Sequence, residues 1–134
     1  MAARRLGGVR SDFSPEVMGG IMELEHIALK RSDVFRVSGR IDSSNAQQFQ
    51  DALFSAINNG RCNLVVNLSG LTYISSAGIR ALIAALKSCS DRTLQRGGLH
   101  LAETPEYIKE VFDLAGLTPI FSFYDTELEA VGDF

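Results

Sequence analysis

Apolar residues recur along this chain in two kinds of segment, and the two kinds alternate. Short segments that are apolar throughout or at every second residue predict strands, which start near Met22, Phe35, Leu64, Leu99 and Ile120. Longer segments with helical spacing follow Ser44, Ser75, Thr104 and Asp125. The order ββαβαβαβα predicts an α/β fold with a mainly parallel mixed sheet of four or five strands. An antiparallel hairpin should form one edge, and the helices should lie mostly on one face.

Each predicted helix has an apolar stripe that should face the sheet. The stripe of the second helix consists of Ile79, Leu82, Ile83 and Leu86. The stripe of the third helix consists of Ile108, Val111, Phe112 and Ala115. Three aromatic residues are also predicted to belong to the core, namely Tyr73, Phe112 and Phe121. At the first helix, Ser44 and Gln47 have the spacing of a capping box.

The first 21 residues lack this periodicity and are interrupted by glycine and proline. We predict that residues 1–21 are a flexible leader or a remnant of cloning, and that residues 22–134 form a single domain. The 134 residues, 46% of them hydrophobic, have the composition of a soluble globular protein. The net charge of −3, with no long basic run, argues against nucleic-acid binding. No segment resembles a membrane span or a secretory signal, so a cytoplasmic location is expected.

The chain shows no recognisable catalytic, cofactor or metal motif. Cys62 and Cys89 are far apart and are expected to be free thiols, and with only His26 and His100 a zinc site has little support. Neither a Gly-x-Ser-x-Gly elbow nor a Walker-type phosphate loop is present. We therefore expect a protein that is not an enzyme and that binds no cofactor and no metal.

The most informative stretch follows the buried strand at Leu64 and reads Ser75-Ser76-Ala77-Gly78. The first backbone N–H groups of a helix have no partner within the helix, so a serine at this position can cap it. The same N–H groups and the helix dipole favour an anion, so an exposed serine here is also a plausible phosphate acceptor. Capping is the simpler role for a serine before a helix.

This stretch resembles the signature of STAS domains, in which Asp-Leu-Ser precedes an aromatic-aliphatic pair and then Asp/Ser-Ser-Ser/Ala-Gly. The corresponding residues here are Asn67-Leu68-Ser69, then Tyr73-Ile74, then Ser75-Ser76-Ala77-Gly78-Ile79. Upstream, Gly39-Arg40-Ile41-Asp42 is similar to the family's Gly-x-hydrophobic-Asp. The order of elements also agrees from about Met22 to Val131. The resemblance implies a STAS-like fold for nearly all of the chain beyond the leader.

Within this family, the resemblance is to bacterial anti-sigma factor antagonists, which implies a protein-binding switch. The dephosphorylated domain would bind an anti-sigma factor that is also a serine kinase with a histidine-kinase-like ATPase fold. That binding would free a sigma factor. Phosphorylation of a serine in the motif would break the complex, and a serine phosphatase would restore it.

Two positions depart from the family pattern. In Asp-Ser-Ser-Gly the acceptor serine immediately precedes glycine, and here Ala77 occupies that place. The predicted phosphoacceptor is therefore Ser76, with Ser75 as the alternative. Asn67 replaces the acid that ends the strand, but it keeps a side chain compatible with a turn.

The predicted switch and partner-binding residues are Asp42, Ser75, Ala77, Gly78 and Arg80. Asp42 is either a turn or cap acceptor or, by resemblance, a residue beside the switch serine that binds the partner or positions the hydroxyl. Arg80 is a cation in the first turn of a helix, where the dipole disfavours it. It is either a solvated side chain or a group that contacts a partner or a phosphate.

Two other functions compete with the phosphorylation switch. A constitutive interaction or scaffold domain in another signalling or transport complex would use Ser75 and Ser76 only as caps, and phosphate analysis of the purified protein would distinguish it. A serine hydrolase or nucleotide-binding protein would need a base for the serine or a phosphate loop. Turnover abolished by Ser76→Ala would favour that third function.

Overall fold

The computed structural model describes residues 2–5, 21–90 and 97–134, with residues 2–5 described as backbone only. Six strands and four helices follow one another along these residues. The strands are β1 (Ala2–Arg5), β2 (Met22–Ala28), β3 (Asp33–Ile41), β4 (Asn63–Ile74), β5 (Gly98–Ala102) and β6 (Ser122–Tyr124). The helices are α1 (Ala46–Asn58), α2 (Ser76–Ser90), α3 (Glu106–Leu114) and α4 (Glu127–Gly132), with a 3-10 turn at Thr118–Ile120.

The strands form one mixed sheet in the order β1-β2-β3-β4-β5-β6. β1, β2 and β3 pair antiparallel, whereas β3, β4, β5 and β6 run parallel. The predicted α/β class and the mainly parallel sheet with an antiparallel edge are thus confirmed. The last predicted strand is shorter than expected, because the chain from Thr118 to Ile120 forms the 3-10 turn instead.

The sheet has one strand more than the four or five expected, because Ala2–Arg5 pairs with β2. Ala2 pairs with Ala28 and Arg5 pairs with Glu25, so β1 covers the free edge of β2. An edge strand presents unpaired N–H and C=O groups, which a further extended segment can satisfy. Residues 6–20 lie outside the described residues, and the domain boundary at 21/22 stays a prediction.

The two faces of the sheet carry unequal cores. The larger core lies between the sheet and α1, α2 and α3, and it receives Leu64, Val66 and Leu68 from β4. Val65, which points to the opposite face, packs in a smaller cluster with Ala130 of α4. Three helices on one face and one short helix on the other agree with the prediction. Because both faces of the sheet are covered, the buried part of β4 from Leu64 to Leu68 is apolar at every position except Asn67.

The predicted apolar residues of α2 face the core as expected. Of the four predicted core residues in the third helix, α3, only two are buried. Ile79 and Leu82 are buried, and Ile83 and Leu86 are partly buried against the same core. In α3, Ile108 and Phe112 are buried. Two predicted core positions there are wrong, since Val111 and Ala115 are both exposed.

A cluster of hydrogen-bonded side chains around the buried Asp33 holds the hairpin turn at the amino-terminal edge of β3. His26 Nε2 lies 2.5 Å from one oxygen of Asp33, and Arg61 Nε lies 2.5 Å from the other. Arg61 also donates to the carbonyl oxygens of Leu29 and Ser32, at 2.6 and 3.1 Å. Burial alone would raise the pKa of Asp33, but the hydrogen bonds from His26 and Arg61 outweigh it and hold that pKa below its ordinary value.

Both cysteines are buried free thiols, as expected. None of the helices in the described ranges combines the length and the apolar character needed to cross a bilayer.

Candidate phosphorylation and partner-binding site

The predicted switch residues lie where β3 and β4 end. The two strands are parallel neighbours, and Ile41 is aligned with Ile74 at their carboxyl ends. The backbone N–H of Ser75 donates to the carbonyl oxygen of Ile41 at 2.8 Å. The chain therefore leaves β3 at Asp42 and β4 at Ser75 on the same edge of the sheet, which we call the switch edge.

The two candidate serines have different surroundings at the start of α2. Ser75 is half-buried and caps the helix, because its hydroxyl accepts from the N–H of Gly78 at 3.2 Å and its carbonyl accepts from the N–H of Ile79 at 3.0 Å. Ser76 is the first residue of α2 and is exposed. Its hydroxyl makes no hydrogen bond to any described part of the chain. Ser75 thus serves as the cap, and Ser76 presents a free hydroxyl to solvent.

The remaining residues of the motif bring α2 close to the sheet. Ala77 is partly buried and packs against the larger core, so its side chain points away from the exposed surface. Gly78 is buried, and a Cβ added there would lie 2.7 Å from Cγ2 of Ile41 and 2.8 Å from Cγ1 of Ile74. Glycine is therefore needed because the helix crosses directly over the ends of β3 and β4.

Gly78→Ala is expected to lower the free energy of unfolding by about 1–2 kcal/mol. Overpacking a buried site costs about 1–3 kcal/mol, and the better helix propensity of alanine returns up to about 1 kcal/mol. Gly132→Ala in α4 is the matched control, since a Cβ there meets nothing within 4 Å. Urea unfolding of both variants measures the difference. Equal stability of the two variants would contradict the close approach at Gly78.

The side chain of Asp42 acts as a turn acceptor before α1. One of its carboxylate oxygens accepts from the N–H of Ser44 at 2.9 Å and from the hydroxyl of Ser44 at 2.6 Å. The hydroxyl bond from Ser44 is the main reason that the pKa of Asp42 lies below its ordinary value. The predicted capping box of Ser44 with Gln47 is wrong, because Gln47 donates to Asp51 instead. Asp42 remains half-buried at the switch edge, so this turn role is compatible with partner binding.

Arg80 lies one turn after Ser76 on α2 and is exposed. Residues four apart in a helix are neighbours on the same face, so the guanidinium of Arg80 can reach a group attached to Ser76. Arg80 makes no ion pair with any residue that the structure describes. The switch edge thus brings together Asp42, Ser75, Ser76 and Gly78, with Arg80 on the outward face of the helix.

Two further residues at this edge were not predicted as site residues. The guanidinium of Arg40 lies over the ring of Tyr73, 4.3 Å from its centroid. Tyr73 is 40% exposed, so its predicted core position is wrong. The pairing of β3 with β4 shifts register twice in this region, and each shift adds one residue to β4 and breaks the simple alternation of faces. Gly70 within the strand and the polar Thr72 before Tyr73 are the sequence signals of this change.

Comparison with known proteins identifies the family. The sequence profile described as STAS domain matches residues 27–130. The chain belongs to the STAS domain family. Its sequence is 33% identical over 98 residues to BtrV of Bordetella bronchiseptica, named as an anti-sigma factor antagonist. That match covers 73% of this chain and 82% of BtrV. The predicted resemblance to the family is confirmed.

Solved structures of named anti-sigma factor antagonists share the fold of this STAS domain. A Mycobacterium paratuberculosis antagonist superposes with a TM-score of 0.76 at 22% identity, covering 87% of this chain and 96% of that protein. The Bacillus antagonist SpoIIAA in its unphosphorylated form superposes with a TM-score of 0.69 at 21% identity, covering 81% and 92%. A structure of SpoIIAA in its phosphorylated form gives a TM-score of 0.63 at 21% identity, covering 84% and 97%.

The side chain of Asn67 makes two hydrogen bonds, one as an acceptor and one as a donor. Its carbonyl oxygen accepts from the N–H of Ser69 at 2.9 Å, as an aspartate could. Its amide nitrogen donates to Oε1 of Glu127 at 2.8 Å, which an aspartate could not do. Arg36 completes the group with two bonds to the Glu127 carboxylate, at 3.0 and 2.8 Å. The bond from Arg36 is the main reason that the pKa of Glu127 is lowered.

This group attaches α4 to the strand that leads to the switch edge of the STAS domain. Glu127 is the first residue of α4, and its N–H also donates to the carboxylate of Glu103 at 2.9 Å. Asn67 of β4 and Glu127 of α4, sixty residues apart in the chain, are thus joined by a side-chain hydrogen bond.

Asn67→Asp is expected to lower the free energy of unfolding by about 1–2 kcal/mol. The change keeps the acceptor for Ser69, but it places two carboxylates opposite each other and removes a donor from Glu127. In the double variant with Glu127→Gln, the new amide can donate to the new carboxylate and restore the hydrogen bond in reverse. A double-mutant cycle by urea unfolding should show a double variant more stable than the sum of the two changes. Strict additivity would show that this pair does not hold α4.

Proposed function

We propose that this STAS domain is an anti-sigma factor antagonist that is switched by phosphorylation of Ser76. In its dephosphorylated form it binds an anti-sigma factor serine kinase of the histidine-kinase-like ATPase fold and thereby frees a sigma factor. The kinase phosphorylates Ser76 to end the interaction, and a serine phosphatase restores the binding form. The domain itself works in the cytoplasm by binding, with no catalytic step and no cofactor. Family membership and the named function of its relatives support this proposal.

The exposed hydroxyl of Ser76 carries the assignment of the acceptor. A kinase must reach the hydroxyl that it phosphorylates, and Ser76 is exposed whereas Ser75 is half-buried and engaged as the cap. Ala77, at the position of the family's acceptor, has no hydroxyl and packs inward. The chain therefore offers a phosphate site one residue earlier than the family pattern.

A phosphate on Ser76 should leave the fold of the domain stable and should weaken binding of the partner. It adds about −1.5 to −2 charges at pH 7 and lies at the positive end of α2, where anions are stabilised. Arg80, one turn further on, can pair with it. The fold should consequently persist after phosphorylation. The effect on binding comes from the bulk and charge placed in a contact surface that fits a neutral hydroxyl, with the carboxylate of Asp42 adding negative charge at the same edge.

Phosphosite mapping after incubation with the cognate kinase and ATP tests the proposal. Wild type should acquire one phosphate, Ser76→Ala none, and Ser75→Asn one, because asparagine preserves a capping oxygen without offering a hydroxyl. Phosphate on Ser76→Ala but not on Ser75→Asn would transfer the role to Ser75. If wild type acquires no phosphate, the protein is a constitutive interaction domain and the switch is wrong.

A further inference from the structure

Helix α3 exposes apolar side chains that the core does not use. Tyr107, Val111 and Leu114 are 51%, 36% and 90% exposed. Their spacing of four and three residues places them on one face of the helix, which we call the α3 stripe. The buried face of α3 is formed by Ile108 and Phe112, so packing against the sheet is complete without the stripe. A contiguous exposed apolar face of this kind marks an interaction surface.

The α3 stripe begins beside the switch edge. Tyr107 lies in the first turn of α3, and its hydroxyl donates to the carbonyl oxygen of Leu71 at 2.9 Å. Leu71 belongs to the last part of β4, which also exposes Tyr73 and leads directly to Ser75. The first turn of the stripe is therefore attached to the end of β4 that leads to Ser75 and Ser76.

The charge beside the α3 stripe is negative. Three exposed acids follow its outer flank, at Glu106, Glu110 and Asp113. The one basic residue of the helix, Lys109, is turned to the other side, where its ammonium group lies 5.4 Å from the centroid of the Phe123 ring. A surface that complements this arrangement has an apolar centre and a basic flank.

We propose that the α3 stripe is a second contact for the partner that Ser76 controls, and that it receives an apolar cluster flanked by lysine or arginine side chains on that partner. This inference rests on the proposed function, because it assigns the α3 stripe and Ser76 to one interface. The stripe contributes much of the binding free energy, and the phosphorylation state of Ser76 determines whether the partner binds. Phosphorylation then acts at one end of an interface whose other end is unchanged.

Two leucines provide a matched test. Leu114 in the stripe is 90% exposed, and Leu128 of α4, which packs on the opposite face of the sheet, is 81% exposed. The probe is the protein that co-purifies with the wild-type chain, identified by mass spectrometry and purified on its own. Calorimetric titration compares wild type, Leu114→Gln, Leu128→Gln and Ser76→Asp, with thermal melts to confirm folding. Sedimentation measures the oligomeric state of each.

Leu114→Gln is expected to raise the dissociation constant at least about tenfold, and Leu128→Gln should stay within about twofold of wild type. Glu110→Lys should slow association, and more so at low salt than at high salt. Unchanged binding by Leu114→Gln together with weakened binding by Ser76→Asp would overturn the α3 stripe and leave the switch. Weakened binding by Leu114→Gln together with unchanged binding by Ser76→Asp would retain the stripe as a docking surface and refute the switch at Ser76.

Two other results would overturn the inference outright. If wild type sediments as a dimer that Leu114→Gln dissociates, the stripe binds a second copy of this chain. Equal losses of binding in Leu114→Gln and Leu128→Gln would show that exposed leucines act through a general effect rather than through this face of α3.

Discussion

Ser76→Asp is expected to weaken binding to the cognate kinase at least tenfold, a change of about 1.4 kcal/mol, while the melting temperature stays near that of wild type. The exposed position of Ser76 leaves room for a carboxylate, and the N-terminus of α2 stabilises a negative charge. Under the proposed function, the same charge would lie in the contact surface, where the kinase would meet a neutral hydroxyl in the binding form. The variant therefore separates the effect of charge on binding from any effect on folding.

Calorimetric titration of Ser76→Asp, Ser76→Ala and Ser75→Asp against the kinase, beside thermal melts, measures this effect. Ser76→Ala should bind nearly as well as wild type and should resist release when ATP is added, because no phosphate can form. If Ser75→Asp weakens binding and Ser76→Asp does not, then Ser75 is the acceptor. If neither does, the domain binds its partner without a switch at this edge.

Leu82→Ala is expected to lower the free energy of unfolding by about 2–5 kcal/mol, the largest change in stability among the variants considered. The Leu82 side chain is fully buried between α2 and the sheet, so truncation removes apolar contacts and leaves a cavity. The loss should also disturb the switch edge, because the packing of α2 on the sheet positions the start of the helix that carries Ser76.

Urea unfolding of Leu82→Ala beside Leu128→Ala tests this placement. Leu128 is 81% exposed, so its truncation should change stability by no more than about 0.5 kcal/mol. A loss of similar size in both variants would mean that α2 does not present Leu82 to the core.

The sequence by itself determined the order of the strands and α-helices from Met22 onward, the class of the sheet and the position of a serine pair at the start of α2. These features depend on local signals: hydrophobic period, helix caps and turn residues are all read within a few positions of each other. The family signature is equally local, which is why its residues could be recognised before their geometry was known. The inward positions of Ile79 and Leu82 followed from the same helical period.

Only the tertiary structure decided which of the apolar residues at helical spacing are buried in the core. Val111 has the spacing of a core residue, but the contact of α3 with the sheet ends at Ile108 and Phe112 and leaves Val111 at the surface. Tyr73 is exposed because the pairing of β4 with β3 shifts register, and pairing between distant strands is not encoded in either strand alone.

The tertiary structure also decided which of the two serines caps α2 and which has an exposed hydroxyl. Either serine could cap a helix, and the choice depends on where α2 begins, which the backbone bond from Ser75 to Ile41 helps to determine. Likewise, the sequence could not show that Asn67 donates a hydrogen bond to Glu127, because the two residues are sixty positions apart in the chain. Local patterns predict elements, whereas contacts between residues far apart in the chain decide which side chains remain free to act.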